Sequence, residues 1–294
     1  MYRLLSAVAG PFTPILLAGR LKRGKEHRQR LPERRGESRI GRPEGPLIWL
    51  HGASVGELAS VLPLIDRIRA RGFGMLVTTG TVTSGGLAEQ RLQRGVIHQF
   101  IPLDISRYVR RFLEHWRPDL ALFVESELWP NLMNEASTRG IPMVLINARL
   151  SENSYQRWRR APRSIADLLR RLYLCLAGTS SDALRLSDLG ASNVVTTGNL
   201  KLDAPAPPAE PRALAELQNA IDRRPVIAAA STHAGEEEAV IEAHSRLRRN
   251  FPGLLTVIAP RHPERGPGIA DVAARAGLPV ALRSRGKLPE RETE

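Results

Sequence analysis

"PLIWLHGASVGELAS", Pro46 to Ser60, is the stretch on which the fold turns. A strand-like apolar run, Pro46 to His51, meets a glycine-marked turn. Beyond the turn, Leu58, Val61, Ile65 and Ile68 recur at helical spacing on one face. An apolar strand feeding an amphipathic helix opens a strand–helix unit of a parallel sheet buried on both faces. Ser54-Val55-Gly56-Glu57 fits the S-x-x-E capping box, in which each side chain satisfies a free backbone N–H at the helix start. Glu57 is equally placed to be a reactive carboxylate at the mouth of a cleft. A helix start favours its charged form, which suits a cap and makes a weaker proton acceptor. Gly52 and Gly56, however, open the turn more than a plain cap needs. These residues alone leave both readings standing.

The alternation continues outward from this unit. Strand-like runs follow at "GMLVTT", "VIHQFI", "DLALFV", "PMVLIN" and "LYLCLA", with helix-period segments near Ser106–Trp116, Pro130–Arg139 and Ser180–Leu189. This pattern predicts a doubly wound α/β domain over residues 45–200. "LKLDAPAPPAEPRA" then places four prolines in a short span and predicts an extended linker over 201–213. Beyond it "PVIAAA", a helix near Gly235–Asn250, "LLTVIAP", a helix near Gly268–Ala276 and "LPVAL" predict a second, shorter α/β unit over 214–294.

Composition narrows the class. The 294 residues, 42% of them hydrophobic, suffice for one large or two ordinary cores, and 25% charged residues do not make a disordered composition. The single cysteine, Cys175, excludes an internal disulfide framework and lies in an apolar run as a buried thiol would. The net charge of +13 is uneven: residues 1–44 carry eleven Lys/Arg against four Glu. Such a surface favours anionic partners. Aromatic residues at 5% argue against a single-strand stacking platform, and no nucleic-acid partner is expected.

Leu4 to Gly19 is apolar, shorter than the roughly 20 residues of a spanning helix, and interrupted by Pro11 and Pro14. Its positive residues come mostly after it, opposite to a cleaved signal peptide. Residues 1–44 are therefore expected to lie on a membrane or barely cross it, with the following Lys and Arg at the anionic cytoplasmic face.

In an open parallel sheet, ligands bind beyond the carboxyl ends of the strands. Seven polar loops fall at that edge: "HGASVGE", "TTGTVTSGG", "ESELWPN", "NARLS", "GTSSD", "STHAGEEE" and "PRHPER". Each has a plain reading. "TSGG" is a glycine-rich turn with Ser84 as N-cap, Trp129-Pro130 is a helix start, and His51 ends a strand. Glu125 and Glu127 alternate along an extended segment and so point opposite ways, which places at most one of them in a given cavity. Neither dinucleotide nor P-loop fingerprint is present, and His233 and His262 are too scattered for a metal site.

Taken in order, "RLKRGKEHRQRLPERRG", "WLHGASVGE", "TTGTVTSG", "FVESELWPNL", "INARLSENSYQRW", "GNLKLD", "AASTHAGEEE" and "APRHPER" resemble the 3-deoxy-D-manno-octulosonic acid (Kdo) transferases of lipopolysaccharide synthesis, across essentially the whole chain. The resemblance implies a GT-B glycosyltransferase of two Rossmann-like domains facing a cleft. It implies a CMP-Kdo donor, a lipid A precursor acceptor at the cytoplasmic face of the inner membrane, inversion, and no metal or other cofactor. It makes Glu57 the general base. Ser54, Gly56, Glu125, Glu127, Asn147 and Arg149 become acceptor-binding or orienting residues, and Ser231, Thr232, His233, Arg261 and His262 donor-binding ones. The family also carries a later "GG-x-N-x-x-E" loop, and none precedes Glu294. The expectation is thus a Kdo transferase or a large piece of one, with an incomplete second domain: either a truncated chain or a protein without that donor loop, an inactive truncated fragment being the alternative. Two rivals are a non-catalytic basic module that binds anionic lipid, and a GT-B enzyme using another nucleotide-sugar.

Overall fold

A computed structural model describes residues 2, 6, 8, 10–203 and 209–294. The chain divides into two compact units, Met1–Pro205 and Ala206–Glu294.

In the first unit, strands β1 (Leu47–His51), β2 (Gly74–Thr79), β3 (Ile97–Phe100), β4 (Leu120–Val124), β5 (Met143–Ala148), β6 (Leu174–Ala177) and β7 (Val194–Thr196) form one sheet, ordered β3-β2-β1-β4-β5-β6-β7. Every neighbouring pair is parallel. The helices are α1 (Thr13–Lys22), α2 (Val55–Ala70), α3 (Val82–Arg91), α4 (Ser106–Trp116), α5 (Pro130–Thr138), α6 (Glu152–Trp158), α7 (Pro162–Leu169) and α8 (Ser180–Asp188). Alternation along β1 sends Leu47 and Trp49 into a core with α4, α5, α7 and α8, and Ile48 and Leu50 into a core with α2 and α3. Trp49 anchors the first of these, its ring centroid 5.0 Å from Phe112 and 5.3 Å from Phe123. The strand order reverses between β1 and β4, so the switch point where such sheets bind ligands lies between His51 and the end of β4.

The second unit pairs β8 (Val226–Thr232) with β9 (Leu255–Pro260) in parallel, with α9 (Pro211–Ile221), α10 (Glu236–Leu247) and α11 (Gly266–Arg275). Its core is small: Ile241, Ala273 and Leu278, with Ile258 and Val272 packed against them.

The structure corrects several local expectations. "LPVAL" forms no strand; its Leu278 serves as a core residue instead. The proline-rich linker falls partly on 204–208, outside the described residues, and Pro211 opens a helix because its missing N–H costs nothing at a first helical position. Ser84 is not the N-cap of α3. Thr81 is, and Ser84 completes a capping box with it while also donating to Ala53 O at 3.1 Å. Gly85 there is a packing requirement, since a Cβ would lie 2.6 Å from the Phe100 ring. β7 was not foreseen; "VVT" is a three-residue edge strand, too short to give a pattern.

The apolar N-terminal run falls partly on residues outside those described. Among the described residues no helix is long and apolar enough to cross a membrane. On α1, Thr13 and Leu17 turn inward while Ile15 and Leu16, with the preceding Phe12, are exposed. The basic segment behind it is partly spent inside. Arg34 is 3% exposed, donates to Glu26, Ile101 O and Gly80 O, and stacks on Phe100; Arg20 shares Glu26, and Arg42 pairs with Asp119.

Candidate active site

At the switch point the chain leaves β1 through Gly52 and Ala53 and enters α2 with Ser54 as N-cap. Glu57 N donates to Ser54 Oγ at 3.3 Å, and Ser54 Oγ donates to Glu57 Oε1 at 2.7 Å. The other carboxylate oxygen accepts from Ala53 N at 2.8 Å. Glu57 is therefore a cap and a fixed, half-buried carboxylate at once. Each oxygen accepts one hydrogen bond and retains a lone pair. Gly56 is exposed, and a Cβ there would meet nothing within 4 Å, so this side of the helix start stays bare.

Across the switch point, Glu127 Oε2 accepts from Trp129 Nε1 at 2.6 Å and lies 3.5 Å from His51 Nε2. Burial pushes the Glu127 carboxyl upward, but the adjacent His51 and the Trp129 N–H outweigh it and hold it below the usual carboxylate range. His51 was expected merely to end a strand. It does, yet it is wholly buried, and its Nε2 makes no hydrogen bond among the described residues.

Glu125 goes elsewhere. The expected extended segment is broken at φ 60°, a left-handed conformation, and the side chain forms an ion pair with Lys201 Nζ at 2.6 Å. Glu125 and Arg149 line a polar cavity of about 450 Å³ at the ends of β4, β5 and β6, together with Ser151, Thr179, Ser181 and Arg185. Glu127 is not among its lining residues. Asn147 lies buried at the end of β5 with φ 51°, and its Oδ1 accepts from Leu200 N at 3.2 Å, which holds the Lys201 segment in place. Lys201 and His51 are the residues of this site that sequence reasoning passed over. "GNLKLD" marked the first only as a motif, and nothing in the sequence pairs it with Glu125.

In the second unit, Ser231 is exposed with φ 62°, at a register shift between Ala230 and Thr232. Thr232 turns inward: its hydroxyl donates to Glu237 Oε1 at 2.8 Å, and Arg265 grips both oxygens of that carboxylate at 2.7 and 2.9 Å. The Arg265 hydrogen bonds bring the Glu237 carboxyl down to about 2. His233, Arg261 and His262 are exposed. Arg261 donates its backbone N–H to Thr232 O, and His262 has Glu264 3.7 Å away. Glu237 and Arg265 stood inside the quoted motifs without being singled out.

Among the described residues five non-glycine positions have positive φ, and three of them, Glu125, Asn147 and Ser231, lie at the carboxyl ends of strands. Each such conformation costs about 1–3 kcal/mol and tends to gather where ligands bind.

The comparisons agree with the motifs. The family profile of 3-deoxy-D-manno-octulosonic-acid transferase (kdotransferase) matches residues 29–204. The probable 3-deoxy-D-manno-octulosonic acid transferase, mitochondrial, of Arabidopsis thaliana is 35% identical over 304 residues, covering 100% of this chain and 68% of that one. The 3-deoxy-D-manno-octulosonic acid transferase of Rickettsia felis is 34% identical over 245 residues, 83% of this chain and 53% of that one. The chain thus spans between about half and two thirds of the length of these relatives. Among solved structures, the UDP-GlcNAc 2-epimerase of Neisseria meningitidis superposes with TM-score 0.55 at 15% identity, over 79% of this chain and 70% of that one. That likeness speaks to the fold alone, which is of the GT-B class. On the family profile and the relatives' identity, the chain belongs to the 3-deoxy-D-manno-octulosonic-acid transferase (kdotransferase) family.

Proposed function

We propose that the protein transfers Kdo from CMP-Kdo to a lipid A precursor, lipid IVA, with inversion, and that Glu57 is the general base. The observation that carries this reading is the Glu57 carboxylate, held by Ala53 N–H and the Ser54 hydroxyl at a helix start beside the switch point. The carboxylate lies beside the positive end of the α2 dipole. Its free lone pair takes the proton of the acceptor hydroxyl as that oxygen bonds to the anomeric carbon of Kdo. The carbon–oxygen bond to CMP breaks on the opposite face, and the phosphate leaves with the electron pair. Base assistance of this kind is worth roughly 10²–10⁴ in rate.

Glu127 and Glu125 orient the acceptor, with Arg149 at the rim of the polar cavity. The exposed backbone and side chains of Ser231, His233 and Arg261 receive the donor's phosphate and cytidine. The apolar Phe12, Ile15 and Leu16, followed by Lys22, Arg23 and Lys25, are suited to the cytoplasmic face of the inner membrane, where the acceptor resides.

The test is incubation with CMP-Kdo and lipid IVA, with mass spectrometry of the lipid. The reading expects a lipid heavier by Kdo and an equal amount of CMP. Turnover with a UDP-sugar instead, or binding of anionic lipid with no transfer from any nucleotide-sugar, would contradict it.

A further inference from the structure

Trp49, Thr78 and His51 are each wholly buried, and their polar atoms form a chain across β1 and β2. Trp49 Nε1 donates to Thr78 Oγ1 at 2.9 Å. His51 Nδ1 lies 3.0 Å from the same hydroxyl and 3.1 Å from Thr78 O. That carbonyl already accepts from Gly52 N at 3.1 Å. His51 Nε2 points at Glu127 Oε2, 3.5 Å away, and has no other partner among the described residues.

Two arrangements of protons compete. If Nδ1 carried the only ring proton, it would donate to Thr78 O. Nε2 would then be a buried bare lone pair facing a carboxylate, an unpaired acceptor in a place that penalises one. If Nε2 carries a proton, every group is satisfied. Thr78 Oγ1 receives the indole N–H, so its own proton is free to go to Nδ1 in the neutral ring. The ring then presents Nε2–H to Glu127. A separation of 3.5 Å is long, but such contacts in ligand-free sites often tighten once substrate is bound.

We propose that His51 is a positioning residue: through a donor chain Trp49–Thr78–His51 it presents Nε2–H to Glu127 and fixes that carboxylate toward the acceptor. This rests on the proposed acceptor role of Glu127. The device is asymmetric, with donors entering Glu127 from two sides, His51 from within the sheet and Trp129 from the loop. The remaining lone pairs of the carboxylate are left for acceptor hydroxyls. Thr78 O also holds the first residue after β1 against β2, through Gly52 N.

Two experiments test it. Long-range ¹⁵N–¹H spectra of the histidine rings, with His51 assigned by its loss in His51→Gln, read the tautomer without any turnover. A protonated Nε2 whose signal moves in Glu127→Gln is expected; a ring protonated only on Nδ1 overturns the proposal. Kinetics supply the second arm. A glutamine amide places its N–H near the Nε2 position, and an asparagine amide does not. His51→Gln should keep most of the transfer rate, whereas His51→Asn should lose about 10²-fold in kcat/KM for lipid IVA with KM for CMP-Kdo unchanged. Equal behaviour of the two variants would overturn the proposal. Should His51→Asn fail to fold, Thr78→Val, which keeps the ring and removes the hydroxyl, is expected to give the same selective loss. Absence of Kdo transfer by the parent protein would defeat the proposed function, while the spectral arm would still decide the proton's place.

Discussion

Ser54 and Glu57 hold each other twice: the Ser54 hydroxyl accepts the Glu57 backbone N–H at 3.3 Å and donates to Glu57 Oε1 at 2.7 Å. One residue pair thus satisfies one of the orphaned N–H groups at a helix start and fixes the direction of a carboxylate. The choice between cap and base, open in the sequence, is not a choice in the structure. The hydrogen bonds that cap α2 are those that hold the proposed base still.

Replacing the hydroxyl separates the two consequences. Ser54→Ala removes the acceptor for Glu57 N–H and should cost about 1 kcal/mol of stability, read as a lower urea midpoint. Glu57 keeps only the Ala53 N–H, so transfer should fall by more than that stability loss explains. A variant with a normal rate and a lowered midpoint would make Ser54 a cap and nothing else.

Acid should loosen the second unit through Glu237. Arg265 holds its carboxyl at about 2 in the fold against an ordinary 4.5, despite burial acting the other way. A carboxyl lowered by folding stabilises the native state above its unfolded value and loses that contribution as pH falls through the folded one. The loss therefore spans about pH 4.5 to about pH 2. In Arg265→Ala the buried carboxylate lacks its main partner, and acid unfolding followed by circular dichroism should begin at higher pH. An unchanged acid transition would remove Arg265 from this role.

The basic N-terminal segment divides into internal and external charge. Arg34→Ala leaves Glu26, 2% exposed at its side chain, with Arg20 as its remaining partner, so the cost should reach at most the roughly 3–5 kcal/mol of breaking a buried pair outright. Binding to vesicles of anionic phospholipid should be unaffected. Replacing Lys22, Arg23 and Lys25 by Glu should do the reverse, weakening vesicle binding by about 1 kcal/mol per charge removed while leaving the Arg34 network in place. Co-sedimentation over a salt series distinguishes these outcomes.

Most of the first sheet was legible because its strands are buried on both faces and so appear as unbroken apolar runs, "LALFV" and "LIWLH" among them. The edge strand β7, two of whose three residues are exposed, carries no such signal. α9 was hidden by the proline-rich stretch that leads into it, since Pro211 marks a helix start as readily as a linker. "LPVAL" imitated a strand because its apolar residues are needed for packing, Leu278 in particular. At the candidate site, Ser54 as N-cap followed from spacing, because a cap is a local device, but the Glu57 carboxylate accepts from Ala53 N and not from the N-cap N–H of a full capping box. The partners of Glu125 and Glu127 did not. Lys201 lies 76 residues from Glu125 and His51 lies 76 residues from Glu127, and only the sheet order brings either pair together. The left-handed backbone at Glu125 likewise leaves no trace in a sequence that puts a glutamate where glycine would be unstrained.

The central claim is that Glu57 is the base, and the direct measurement is the single-turnover rate of Kdo transfer by Glu57→Gln. The amide still accepts from Ala53 N–H, so the fold should persist, with stability within about 1 kcal/mol of the parent. The account predicts a transfer rate lower by roughly 10²–10⁴ with donor and acceptor still bound. A rate near that of the parent would leave Glu57 as a helix cap and contradict the account.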